Sequence, residues 1–185
     1  MSQKKSKIAC KKDSYITPEK KSKMLIPYAV LCELTHRCPL SCPYCSNPLQ
    51  LEMKSNEVST EVWKKALSEA VKLGILQPHF SGGEPTARKD LEELIKHAAK
   101  EGLYTNLITS GVLVNEDRLK KLYDSGLDHV QISIQDTDPE NSEKIAGFKG
   151  HNKKIEVCKL VRKVGLPLTI NSVMHRQNLH NLKSM

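Results

Sequence analysis

The chain has 185 residues, 38% of them hydrophobic, and a formal net charge of +8. That length suits one domain with a buried core, and no stretch approaches the roughly 18 consecutive apolar residues that would suggest a membrane span. The charge excludes less than it first suggests: residues 1–24 carry eight lysines against Asp13 and Glu19, which is +6 of the +8.

Those first 24 residues read as a basic, disordered tail on low hydrophobicity. Tyr15 is the one aromatic there that could stack on a base, so a solvated tail is expected and no nucleic-acid partner. No apolar h-region precedes residue 14, so no secretory signal is read. Free thiols and a cytoplasmic location then follow from the redox environment. Cys10 lies in the tail as a bystander. The remaining residues, 25–185, form the folded domain.

The first strand is expected over residues 28–34, with Cys32 in its core face. It runs into Cys38, Cys42 and Cys45, a C-x₃-C-x₂-C loop. Soft thiolates at this spacing select zinc, Cu(I) or an iron–sulfur centre. Structural zinc takes four ligands and an ordinary cubane takes four cysteines, so three thiols leave one coordination position open. A Cys₃His zinc site completed by His36 is the alternative. A disulfide framework would strand one of the three thiols and is set aside.

A helix follows over residues 58–74, with Ser59 as N-cap and Trp63, Ala66, Leu67, Ala70 and Val71 at helical spacing. The second strand, 76–81, ends in Gly82-Gly83-Glu84-Pro85. The second helix starts at Asp90, where Asp90 and Glu93 have capping-box spacing, and stops by Gly102. Strand three is expected over 104–109, a helix capped by Asn115 up to Gly126, strand four over 129–135, and a helix over His151–Val164 with Cys158 on its apolar face. Strand five covers 168–174, and a further helix begins near Asn178.

Repeated β-then-α units predict a parallel sheet with right-handed crossovers, and such folds gather ligands at the C-terminal ends of their strands. Each strand here ends in polar or ligand-type residues: the cysteines, Gly82 to Pro85, Ser110-Gly111, Gln135-Asp136 and His175. Alternation along the strands sets Val130, Ile132 and Ile134 against Gln131, Ser133 and Gln135; Leu76 and Phe80 against Gln77, His79 and Ser81; and Leu168 and Ile170 against Thr169 and Asn171. A partial barrel with a polar lumen accounts for that pattern. A sheet with one face in water is the alternative, which parallel sheets seldom adopt.

The strings ELTHRCPLSCPYCSNP (33–48), HFSGGEP (79–85), YTNLITSG (104–111) and GLDHVQISIQD (126–136) resemble the radical S-adenosylmethionine (SAM) superfamily, and within it the branch that serves pyrroloquinoline quinone (PQQ) biosynthesis. The resemblance implies an α/β fold, a parallel (β/α) partial TIM-type barrel with about five of six βα units present. It implies a [4Fe–4S] cluster on Cys38, Cys42 and Cys45, with SAM on the fourth iron. Tyr44 would lie by the adenine. Gly82 and Gly83 would let backbone approach the SAM ammonium, Glu84 would counter positive charge, and Ser110, Ser133, Gln135 and Asn171 would meet the ribose and carboxylate. No catalytic side chain is assigned, His175, Arg176 and Asn178 included.

The implied reaction is a Glu–Tyr carbon–carbon crosslink in a short PqqA-like ribosomal precursor peptide, started by a 5′-deoxyadenosyl radical. A small PqqD-like peptide-binding protein and an external one-electron reductant are the implied partners. Other readings are a radical SAM enzyme acting on another peptide or a small molecule, an inactive fragment, or the zinc module. Several features depart from the branch, a longer lysine tail and the lack of a sixth strand among them. His36 stands where Tyr is commoner, Thr86-Ala87 where two leucines are. After Cys45 only Cys158 remains, so the branch's C-terminal domain of auxiliary clusters has no counterpart. A fragment or truncated reading frame is expected, or else a second chain that completes the barrel.

Overall fold

A computed structural model describes residues 27–47 and 53–185; the tail of residues 1–24, with Cys10, lies outside the described residues. Five strands, β1 (Ala29–Glu33), β2 (Gln77–Ser81), β3 (Asn106–Thr109), β4 (His129–Ser133) and β5 (Leu168–Asn171), form one parallel sheet in sequential order. Helices α1 (Thr60–Lys72), α2 (Leu91–Lys100), α3 (Glu116–Asp124), α4 (Pro139–Ala146) and α5 (His151–Val164) fill the connections. A parallel sheet whose neighbours are consecutive has no point where the winding reverses. Right-handed crossovers therefore lay every helix on the same side, and the sheet curls into the partial TIM-type barrel.

The outer face is the core. Phe80, Leu107, Val130 and Ile132 from the strands meet Leu67, Leu91, Leu94, Ile95, Leu119, Leu122, Val157 and Val161 from the helices, all essentially buried. Each such side chain contributes roughly 1.5–3 kcal/mol of burial. Cys32 belongs to this core and Cys158 packs at its edge, where burial raises both thiols, Cys32 to about 11.

The lumen face is polar. Asn106 donates from Nδ2 to His79 Nδ1 at 2.7 Å. Its Oδ1 can only accept, so His129 donates from Nδ1 at 2.6 Å and takes the Thr169 hydroxyl on Nε2 at 2.9 Å. One polar side chain from each of β2, β3, β4 and β5 is thereby linked across the sheet.

Strands four and five end at Ser133 and Asn171, short of the expected 135 and 174, and the segment near Asn178 forms only a 3-10 turn, Leu179–Asn181; three further expectations change. Leu76 lies outside β2, which starts one residue later, and is 61% exposed, so it is not on the core face with Phe80. Asp90 precedes α2 without capping it; its carboxylate is taken by Arg88 Nε and Nη2 and by Thr60 Oγ1, charge-assisted bonds stronger than a cap. Helix α4, unforeseen, is capped by Asp138 on Asn141 N, carries Pro139 in its first turn and ends on Gly147 at φ 62°.

Candidate functional site

The cysteine loop leaves β1 and is fastened before its first thiol. Arg37 Nε and Nη2 bind the two Glu57 carboxylate oxygens at 2.8 and 3.2 Å, and Nη1 donates to Ala87 O at 2.9 Å. Arg88, 4% exposed, donates to Leu34 O and Val58 O. Between the thiols, Ser41 N donates to Ala146 O at 2.9 Å, so α4 clamps the loop. Cys45 N closes a turn on Cys42 O at 3.1 Å, and Asn47 Nδ2 holds His36 O at 2.8 Å.

The Gly82-Gly83 turn lies directly on this loop. Gly83 N donates to Thr35 O at 2.6 Å and Glu84 N to Arg37 O at 2.7 Å. A β-carbon on Gly82, whose φ is +126°, would stand 2.5 Å from Thr35 O, and one on Gly83 would stand 2.5 Å from Arg37 O. Glycine is needed here because two backbones touch. Glu84 is wholly buried behind the turn. Its carboxylate accepts Thr86 N and Oγ1, Thr109 Oγ1 at 2.6 Å, Ser110 N at 2.8 Å and the Ser110 hydroxyl. It stitches the end of β2 to the end of β3.

A cavity of about 300 Å³ opens at this rim, lined by Cys38, Cys42, Tyr44, Cys45, Gly82, Gly83, Ser110, Ser133, Gln135 and Asn171, with Leu40, Ser46, Ser81, Ile108, Thr109 and Val173. Of the sequence-expected site residues, Glu84 alone has no lining position. Ser133 and Asn171 sit in register at the ends of β4 and β5. Gln135 is committed in both directions: Nε2 donates to the Tyr44 hydroxyl at 3.2 Å, and Oε1 accepts from Lys154 Nζ at 2.5 Å. The Tyr44 ring rests against His175, centroids 5.1 Å apart. Asn178, fully buried, donates to Gln135 O at 2.8 Å and Val173 O at 2.9 Å, holding the segment after β5 onto β4.

Burial raises the Cys38 thiol, with the Glu84 carboxylate adding to it against a backbone hydrogen bond from Leu40. Burial also raises Cys42, opposed by a Tyr44 hydrogen bond and the Lys154 charge. Tyr44 is pushed up to about 12, again chiefly by burial. His36, the alternative fourth ligand, lines a separate cavity with Thr35, Glu57 and Trp63. Among the described residues no three His, Cys, Asp or Glu side chains close round one ion.

Arg37, Glu57, Arg88 and Lys154 carry no signal in the sequence that marks them as parts of this site. Asp136, expected at the rim, is fully buried, and accepts Asp138 N, Asn141 Nδ2 and Asn181 Nδ2. Asp138-Pro139 followed by Gly147 was the available signal for α4.

A family model described as the Radical SAM superfamily matches residues 32–185. A PqqA peptide cyclase of Bradyrhizobium diazoefficiens is 60% identical over 158 residues, covering 85% of this chain and 42% of the relative. One from Rhodopseudomonas palustris is 61% identical with the same coverage. The chain thus spans well under half the length of these curated relatives. Among solved structures, Streptococcus suis SuiB bound to S-adenosylmethionine superposes with a TM-score of 0.78 at 23% identity, covering 89% of this chain and 38% of that one.

Proposed function

Since the chain belongs to the radical SAM superfamily, we propose that Cys38, Cys42 and Cys45 hold a [4Fe–4S] cluster beside a SAM site, and that the pair serves a PqqA-type peptide cyclase reaction joining a Glu and a Tyr side chain carbon to carbon. The observation that carries this reading is the convergence of three thiols and the ends of four other strands on one cavity. The donor set fits: soft thiols are ligands that an iron–sulfur centre accepts, and three protein ligands leave a position for a substrate-like cofactor. When bound, cluster and SAM supply a 5′-deoxyadenosyl radical that takes hydrogen from the substrate, while the protein positions and shields.

The residues divide the remaining work. The Ser110 hydroxyl donates its hydrogen bond to Glu84, which leaves its lone pairs as acceptors for an ammonium or a ribose hydroxyl. Ser133 and Asn171, side by side, offer hydroxyl and amide to the polar end of SAM. Gly82 and Gly83 present bare backbone there. Gln135, its amide already committed, holds Tyr44 over the loop.

By likeness to the PqqA peptide cyclases, the substrate is a short PqqA-like precursor peptide, presented by a small PqqD-like protein, with an external reductant supplying one electron. Anaerobic loading with iron and sulfide tests the first half. The reduced chain should give a cluster EPR signal that changes when SAM is added; stoichiometric zinc, or a signal indifferent to SAM, would sink it. Incubation with a PqqA peptide, the accessory protein and reductant tests the second half, the product having lost a pair of hydrogens within one Glu–Tyr fragment.

A further inference from the structure

Lys154 projects from the first turn of α5 and is 1% exposed. Lysine is almost never fully buried unless paired. Its ammonium has three protons to donate, and the bond it makes is to a neutral acceptor, Gln135 Oε1 at 2.5 Å. Among the described residues no carboxylate forms a salt bridge with it; the one nearby, Glu84, already accepts five donors. Burial lowers its proton affinity, and the neighbouring Cys42, Glu84, Cys38 and Cys158 work the other way to hold the charge. Through Gln135 and the Tyr44 hydroxyl it is also joined by hydrogen bonds to Cys42 itself. A buried cation short of a counter-charge therefore stands behind a cavity lined by three thiols.

We propose that Lys154 is the buried counter-cation of the cluster site, a positioning residue that favours the reduced form of the group carried by Cys38, Cys42 and Cys45. The proposal rests on the iron–sulfur reading above. Each thiolate brings a negative charge and reduction adds another, so a fixed cation in a dry wall stabilises the reduced state more than the oxidised one. Gln135 orients the ammonium and couples it to Tyr44. A neutral residue of similar length would fill the same volume and give the cluster no such preference.

The test is a redox titration followed by EPR on wild type, K154R, K154Q and K154M chains, loaded anaerobically with iron and sulfide and without SAM. K154Q and K154M should shift the reduction equilibrium at least tenfold toward the oxidised form, a midpoint lower by 59 mV or more for one electron, with K154R close to wild type. Two neutral variants are carried so that one failing to fold leaves the other. Loss of iron from folded neutral variants, with K154R loaded, also supports the proposal. Equal midpoints in all loaded chains overturn it, as does the same shift or the same loss of iron in K154R. A wild-type chain that takes up no cluster refutes the iron–sulfur reading and this inference with it, a result distinct from unchanged potentials.

Discussion

Gly83 has no room for a β-carbon: Arg37 O and His36 O would lie 2.5 and 2.6 Å away, and both are backbone atoms that cannot swing aside. Gly83→Ala therefore pushes on the residue that precedes Cys38. Overpacking of this kind costs about 1–3 kcal/mol, and we expect a lowered midpoint in urea together with fewer iron atoms bound per chain; unaltered iron content would detach the turn from the thiols. Glu84 poses the opposite case, a buried carboxylate with every neighbour donating to it. Glu84→Ala leaves Ser110 N and Thr86 N without acceptors, on the order of 3 kcal/mol, and frees the Ser110 hydroxyl to turn into the cavity. Thermal unfolding should show the loss, and a wild-type melting temperature would mean that water replaces the carboxylate. Both residues were visible in the sequence as a Gly-Gly-Glu-Pro turn. Which neighbour each one touches was not, since Thr35 and Ser110 reach them only through the folded sheet.

At the scale of elements, the polar ladder on the lumen makes the sheet sensitive to acid. Burial, and then the neighbouring His79, lower the affinity of His129 for a proton below its ordinary value of 6.5. Above that pH His129 is neutral folded or unfolded and contributes no pH dependence. As the pH falls below 6.5, the unfolded chain takes up the proton first, so stability is lost through that window and the loss levels off below the folded value. Melting temperatures should thus decline from pH 7 toward pH 5 more steeply in wild type than in His129→Gln, which keeps the amide contacts to Asn106 and Thr169 within reach. Parallel slopes would assign the decline to other groups. The alternation that betrayed this polar face was legible along β4, whereas its network was not: Asn106, His129 and Thr169 are distant in sequence. Helix α4 escaped for a related reason. Its eight residues carry too few apolar positions to show a helical period, and its purpose, gripping Ser41 between two thiols, is tertiary.

On the scale of the whole molecule, every strand delivers something to one rim, so binding there ties together segments that the sheet alone holds side by side. The order of the strands follows from the repeated βα units, and with it the location of the site at their C-terminal ends. What repetition could not supply is the fastening behind the rim, where Arg37 meets Glu57, Asn178 spans β4 and the β5 exit, and Lys154 supports Gln135. A ligand that touches the cysteine loop, the Gly82-Gly83 turn and the ends of β4 and β5 at once must draw on all of that fastening, and its binding energy adds to the folding energy of the whole domain. Loaded with the proposed cluster, the chain in SAM at a hundred times its dissociation constant should gain about 2.7 kcal/mol. For a domain of this size that is a rise of about 5–10 °C in melting temperature. The same SAM concentration should leave a chain with Cys38, Cys42 and Cys45 all replaced by Ala where it was, because the open metal position is gone. A rise of equal size in both chains would place the SAM contacts wholly on the protein and remove the cluster from the site.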